Sequence, residues 1–210
     1  IQELLYAHNE EEQAARAIQF GNIREPQPYY YGMLGEHVDY EKLGDRLLSS
    51  GPVYLTQWGP EQIQLVEAGL AGSLPFDPER DRFTFGERIS LQPGSIAIQD
   101  DTLNLTLRWA VEQAVEDDLT VFVHLYGPGG ELMDQADGYP IAGMAPFWLW
   151  TAGQTLEDHR SLSLPVGSDP QAYSIGIGLY NPTTGERLPV VDRANDSLPN
   201  DVILLPLTGE

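Results

Sequence analysis

The chain has no cysteine and one lysine, Lys42, and among its 210 residues 11 basic side chains stand against 32 acidic ones, for a formal net charge of −21. Without cysteine there are no disulfides and no thiolate metal sites. With so few Lys and Arg, a nucleic-acid partner is not expected, because phosphate binding needs clustered cations. Direct docking onto an anionic membrane surface is disfavoured for the same reason. The acids are read as a solubilising surface. No apolar run approaches bilayer length, and no signal peptide is visible. The four histidines, His8, His37, His124 and His159, share no H-E-x-x-H spacing. A G-x-S-x-G elbow, a phosphate-binding glycine loop and a D-x-[DN]-x-[DN]-G calcium array are all missing. Paired carboxylates for glycoside cleavage must converge in space, and 32 acids give no signal of which would. The chain itself is therefore read as non-catalytic, with no metal and no cofactor. It starts at Ile1 inside an amphipathic stretch and is read as a soluble fragment of a longer protein.

What the chain does have is Gly 21, Pro 16 and a period of two from Phe83 onward. In Thr102–Ala110, Leu103, Leu105, Leu107 and Trp109 alternate with Asn104, Thr106, Arg108 and Ala110. In Thr120–Tyr126, Val121, Val123 and Leu125 oppose Thr120, Phe122, His124 and Tyr126. In Tyr173–Tyr180, Tyr173, Ile175, Ile177 and Leu179 oppose Ser174, Gly176, Gly178 and Tyr180. Gly127–Gly130 and Asn181–Gly185 read as hairpin turns. Apolar faces of this kind need a second sheet to cover them. Residues 83–210 are thus expected to form an antiparallel β-sandwich, immunoglobulin-like or jelly-roll-like, in a fold that is α+β and mainly β.

Residues 1–75 read differently, as a small helical or α/β segment packing on the sandwich. Leu4, Leu5, Ala7, Ala14, Ala15 and Ile18 fall at helix-like spacing, and Asp39 can cap a helix through Leu43, Leu47 and Leu48. Val53–Thr56 reads as a strand, and Pro60 as the first turn of a helix over Ile63–Leu70. The polar, proline-containing stretch 73–82 is the connector.

The stretch VFVHLYGPGGELMDQADGYPIAG (121–143), then Trp150, Gly153 and Asp158 in a W-x-x-G-x-x-x-x-D spacing, Leu162-Ser163-Leu164-Pro165, and IGLYNPTTGERLPV (177–190) carry a family pattern. With Gly86–Leu91 and Leu105–Ala110, it resembles the soluble C-terminal region of bacterial polytopic membrane glycosyltransferases, those similar to dolichyl-phosphate-mannose protein mannosyltransferases. The resemblance covers residues 83–192. It implies an extracytoplasmic module anchored through a membrane-embedded parent, which would hold the transferase site on segments that nothing here matches. The implied partners are the transmembrane part of that parent chain and a glycan or acceptor protein. The implied role is to support the transferase or present its acceptor. The alternative is a free-standing carbohydrate-binding or adhesion module with an aromatic platform.

Two surfaces are candidate ligand sites. Arg108, Phe122, His124, Tyr126 and Tyr180 point away from the core by parity, where aromatic faces could stack on sugar rings and Arg and His could meet hydroxyls. The plainer reading is that residues 1–75 cover this face. The second candidate is the loop Tyr139–Trp150, with Tyr139, Phe147, Trp148 and Trp150 beside Pro and Gly. Its plainer reading is a plug over one end of the sandwich, with Trp150 in the core and Trp148 the better surface residue. The acid pairs Asp100-Asp101, Asp117-Asp118 and Asp134/Asp137 read as solvated turn formers.

Overall fold

The computed structural model describes residues 52–58, 63–72, 76–143 and 145–207; for 52–58 and 63–72 it describes the course and pairing of the strands. Among the described residues, eleven strands form two packed antiparallel sheets: β1 (Pro52–Trp58), β2 (Ile63–Gly72), β3 (Phe83–Phe85), β4 (Ile89–Gln99), β5 (Thr102–Val111), β6 (Thr120–Tyr126), β7 (Leu132–Gln135), β8 (Thr155–Ser163), β9 (Ser174–Tyr180), β10 (Val190–Val191) and β11 (Ile203–Pro206). The larger sheet runs β1-β2-β8-β5-β4-β3-β10 and the smaller β11-β9-β6-β7. The expected sandwich is therefore the observed fold. Among the described residues, no helix is long and apolar enough to cross a membrane.

The period of two translates directly into burial. Leu103, Leu105, Leu107 and Trp109 of β5 face Val121, Val123 and Leu125 of β6 and Ile175, Ile177 and Leu179 of β9 across a closed core. Each such side chain contributes about 1.5–3 kcal/mol on burial. Tyr173 is only partly buried and sits just before β9. Trp109 anchors an aromatic row, 6.0 Å from Phe85 and edge-on to Phe147 at 5.5 Å, with Trp150 5.3 Å beyond. Turn chemistry sets the registers. Asp100 and Asp101 close β4 onto β5 with φ of 49° and 60°, the left-handed pair that a two-residue hairpin demands and that Asp tolerates. Pro93 sits at the register shift in β4, the irregularity where a proline can interrupt a ladder.

Ile63–Leu70 is not a helix. It lies within β2, paired with β1 from Pro52↔Leu70 to Trp58↔Ile63 and with β8 from Gly69↔Asp158 to Gly72↔Thr155. The β-branched Ile63 and Val66 and the glycines Gly69 and Gly72 are weak helix formers, and a hairpin partner plus a free sheet edge decide in favour of the strand. Val53–Thr56 is a strand as expected, and it joins the sandwich through β2. The helices expected in residues 1–20 and after Asp39 lie outside the described residues.

Candidate functional site

Parity separates inward from outward but does not say which sheet a strand belongs to. Arg108 is on β5, in the seven-stranded sheet, whereas Phe122, His124 and Tyr126 are on β6 and Tyr180 on β9, in the four-stranded sheet. The five residues grouped as one outer face therefore occupy opposite faces of the molecule. Arg108 donates from Nη2 to Glu157 Oε2 at 2.9 Å, and His159 Nε2 lies 3.2 Å from Glu157 Oε1. Burial pushes the Glu157 carboxyl up, but the hydrogen bonds and charges of Arg108 and His159 together outweigh it and leave the group below its ordinary value. A shallow groove of about 300 Å³ runs beside this pair, lined also by Asp77, Arg80, Gln92 and Thr106.

On the smaller sheet, β6 pairs with β9 so that Phe122 faces Gly178 and His124 faces Gly176. A β-carbon at Gly178 would collide with the Phe122 ring, and one at Gly176 would come within 2.6 Å of Tyr126 Cε2. The two glycines thus let the aromatic rings of β6 lie flat across β9. The Arg187 guanidinium closes over the Phe122 ring at 4.9 Å from its centroid, and Phe122 keeps 2% of its surface exposed. Phe122 is accordingly a buried support rather than a contact residue. His124 stacks 5.0 Å from Phe122 and 5.9 Å from Tyr126. Its Nε2 lies 3.3 Å from Asp137 Oδ1 and its Nδ1 3.1 Å from the Tyr126 hydroxyl. A carboxylate only accepts, so Nε2 donates toward Asp137, and Nδ1 shares the second hydrogen bond with the Tyr126 hydroxyl. Asp137 also accepts the Val123 backbone N–H at 3.2 Å.

The Tyr139–Trp150 loop divides along the line expected of a plug. Phe147 is fully buried against Trp109, which removes it from the ligand candidates, and Trp150 is in the core with its indole N–H donated to Ala145 O at 3.2 Å. Trp148 emerges on the short 3₁₀ turn Phe147–Leu149 with 36% of its surface exposed. It packs edge-on against Tyr139, whose hydroxyl donates to Asp118 Oδ1 at 2.7 Å. Asp118 lies two residues before β6, and Gly138, next to Tyr139, bridges Val121 of β6, so the loop adjoins the strand that carries His124. The half-buried Tyr180 phenol is pushed above its ordinary value by burial first, and then by the negative charges of Asp137 and Asp118. Tyr180 is 6.3 Å from the Phe122 ring. The loop and the outer face of the smaller sheet are therefore one strip: Trp148, Tyr139, Asp118, Tyr180, Asp137, His124 and Tyr126. Sequence reasoning took Asp118 and Asp137 for turn formers and did not single out Arg187. The pairing of an aromatic-x-His-x-aromatic strand with a Gly-x-Gly strand is the signal that could have pointed to this face.

A buried ion pair holds the crossover that joins the two halves of the strip. Asp158 and Arg160 point inward from β8 with 0% and 8% of their surface exposed. Arg160 donates to Asp158 Oδ2 at 2.8 Å and to the carbonyls of Ala136, Gly138 and Tyr139 at 3.0, 3.1 and 2.9 Å. Asp158 Oδ1 accepts the Ile141 N–H at 2.8 Å. Burial pushes the Asp158 carboxyl up, against the pull of Arg160. Both oxygens are engaged and no solvent path reaches them, so this acid positions the loop and cannot touch a ligand. Among the described residues, no group of three or more His, Asp and Glu side chains is placed to hold a metal ion.

No family model matches the chain. No curated protein matches it either. Among solved structures it is similar to β-glucuronidase 2 of Bacteroides uniformis, at 16% identity and a TM-score of 0.30, over 51% of this chain and 12% of that one. It is also similar to a β-glucuronidase of Parabacteroides merdae, at 11% identity and a TM-score of 0.26, over 62% of this chain and 14% of that one. The chain thus spans a small fraction of the length of those enzymes.

Proposed function

We propose that the chain is a non-catalytic, glycan-recognising accessory module, held on the extracytoplasmic side by a membrane glycosyltransferase parent and presenting acceptor glycan or protein to it. The observation that carries the recognition role is the strip on the smaller sheet. An exposed indole, phenols fixed by hydrogen bonds and carboxylates with unused acceptor positions are the groups that stack on sugar rings and bind hydroxyls. The parent and the compartment rest on the sequence resemblance over residues 83–192. The non-catalytic reading is supported by Asp158, the one fully buried acid among the described residues, being sealed by Arg160 and Ile141.

The test has two arms. Calorimetry of the 210-residue chain against a panel of oligosaccharides is expected to give saturable heats that Trp148→Ala removes; flat isotherms throughout would remove the recognition role. Deleting residues 83–210 from the full-length gene product is expected to raise the KM for acceptor while leaving donor affinity in place; unchanged transfer would remove the accessory role. A free-standing carbohydrate-binding or adhesion module is the second reading, favoured by the same exposed Trp148. Saturable binding together with a full-length gene product that has no spanning helices would decide for it.

A further inference from the structure

We infer that the strip selects neutral, hydroxyl-rich saccharides against acidic ones, with Asp137 and Arg187 reading sugar hydroxyls from opposite sides of the His124–Phe122 ring row. This deepens the glycan-recognition reading above and rests on it. Three observations carry it.

The first is placement. Asp137 reaches the row from the β7 side, where it holds the Val123 N–H and His124 Nε2. Arg187 reaches it from the other side, over Phe122, where its Nη1 donates to Asn200 O at 3.0 Å. The second is unused capacity. A carboxylate has about four lone-pair positions and a guanidinium five N–H donors. The contacts just named leave acceptors on Asp137 and donors on Arg187, which is exposed. A hydroxyl group both donates and accepts, so vicinal hydroxyls can satisfy both sides at once. A uronate carboxylate only accepts; seated here it would leave Asp137 facing a like charge with nothing to donate. The third is the local field. Asp118 and Asp137 together act on Tyr180, so the strip carries two negative charges in reach of the same phenol, within a chain of net charge −21. Repulsion of an anionic ligand at that range acts within the Debye length of about 8 Å at physiological salt.

The experiment titrates the 210-residue chain with a neutral trisaccharide, mannotriose or cellotriose, and with trigalacturonic acid, following Trp fluorescence and amide chemical shifts at low salt and again at about 0.5 M salt. The expected result is that a neutral sugar binds and the uronide binds at least about tenfold more weakly at low salt, a gap of about 1.4 kcal/mol that narrows as salt screens it. Asp137→Asn keeps an oxygen for the Val123 N–H, so the fold is retained. It is expected to weaken the neutral sugar about tenfold, the effect of losing a charged hydrogen bond, and to shrink the discrimination. Arg187→Gln is expected to weaken the neutral sugar as well. Uronide binding equal to or tighter than neutral binding at low salt overturns the selectivity and leaves glycan recognition standing. Binding of neither class overturns both.

Discussion

Removing Arg160 is the sharpest perturbation of the described fold. Arg160→Met keeps the side-chain length and apolar stem but deletes four hydrogen bonds of the guanidinium, one to Asp158 and three to the carbonyls of Ala136, Gly138 and Tyr139. Asp158 stays behind with 0% exposure and only the Ile141 N–H. An uncompensated charge in a buried pair costs about 3–5 kcal/mol, which for a chain of this size lowers Tm by about 6–20 °C. Asp158→Leu is expected to cost a similar amount by stranding Arg160. The double variant Asp158→Leu/Arg160→Met is expected to cost clearly less than the sum, by about 2 kcal/mol or more, because two stranded charges vanish together. It is not expected to be neutral, since the three carbonyls and the Ile141 N–H still lose their partners. The sign of the pH dependence is fixed as well. Burial raises the Asp158 carboxyl above its ordinary 3.8, and without Arg160 it rises further. The native state then binds the proton more tightly than the unfolded chain, so the deficit of Arg160→Met is largest at neutral pH and shrinks as the pH falls through the raised value. Urea unfolding of the four variants at neutral and acidic pH measures all of this. Single variants that cost less than about 1 kcal/mol, or costs that add, would refute the assignment of the pair as the clamp of the crossover.

Gly178→Ala is expected to destabilise by about 1–3 kcal/mol as the new methyl meets the Phe122 ring, and Phe122→Leu in the same chain should recover part of the loss, both read from urea midpoints. Tyr180 is raised above 10.0 by burial and by Asp137 and Asp118; Asp118→Asn should move its phenol resonance titration back toward that value. Because the unfolded chain ionises first, the Tyr180 contribution to stability is present below pH 10.0 and declines as pH rises through it. Glu157 is held below its ordinary 4.5, so its contribution is present above that pH and is lost as pH falls through the lower native value. Glu157→Gln should therefore flatten the acid limb of the stability curve, and an unchanged limb would count against the Arg108–Glu157–His159 cluster.

The strands of the sandwich were legible because their burial repeats every second residue, a pattern that depends on nothing outside the strand. Leu103 to Trp109 and Val121 to Leu125 point inward as read. Ile63–Leu70 was not legible, because its state depends on the pairing of Gly69 with Asp158 of β8, far along the chain. The site was half legible for the same reason. Outward parity placed His124, Tyr126 and Tyr180 on a surface, but whether Arg108 shares it depends on which sheet β5 joins. Phe122 is outward by parity and buried all the same, because the opposing residue is a glycine and a cation closes over the ring. Trp148 and Phe147 are neighbours in sequence and go to opposite fates on a single 3₁₀ turn, a distinction that strand periodicity does not address.

The buried ion pair also explains why the two candidate surfaces are one. Replacing such a pair by well-packed apolar side chains is often neutral for the pair itself, so its presence in this core asks for another cause. The chain leaves β7 and crosses toward the larger sheet at Ala136–Ala142: Ala136 and Gly138 still bond Val123 and Val121 of β6, but the pairing with β6 ends at Gly138, and Ile141 and Ala142 take positive φ of 53° and 50°. The carbonyls of the half-buried Ala136, Gly138 and Tyr139 call for donors. Arg160 supplies them from the facing sheet, and Asp158 both neutralises Arg160 and takes the Ile141 N–H. The same crossover carries Asp137 to His124 and Tyr139 to Asp118 and Trp148. A polar anchor inside the core thereby sets the spacing of the aromatic and acidic groups outside it. An apolar core at these two positions would take those partners from the Ile141 N–H and from the carbonyls, and could not hold that spacing.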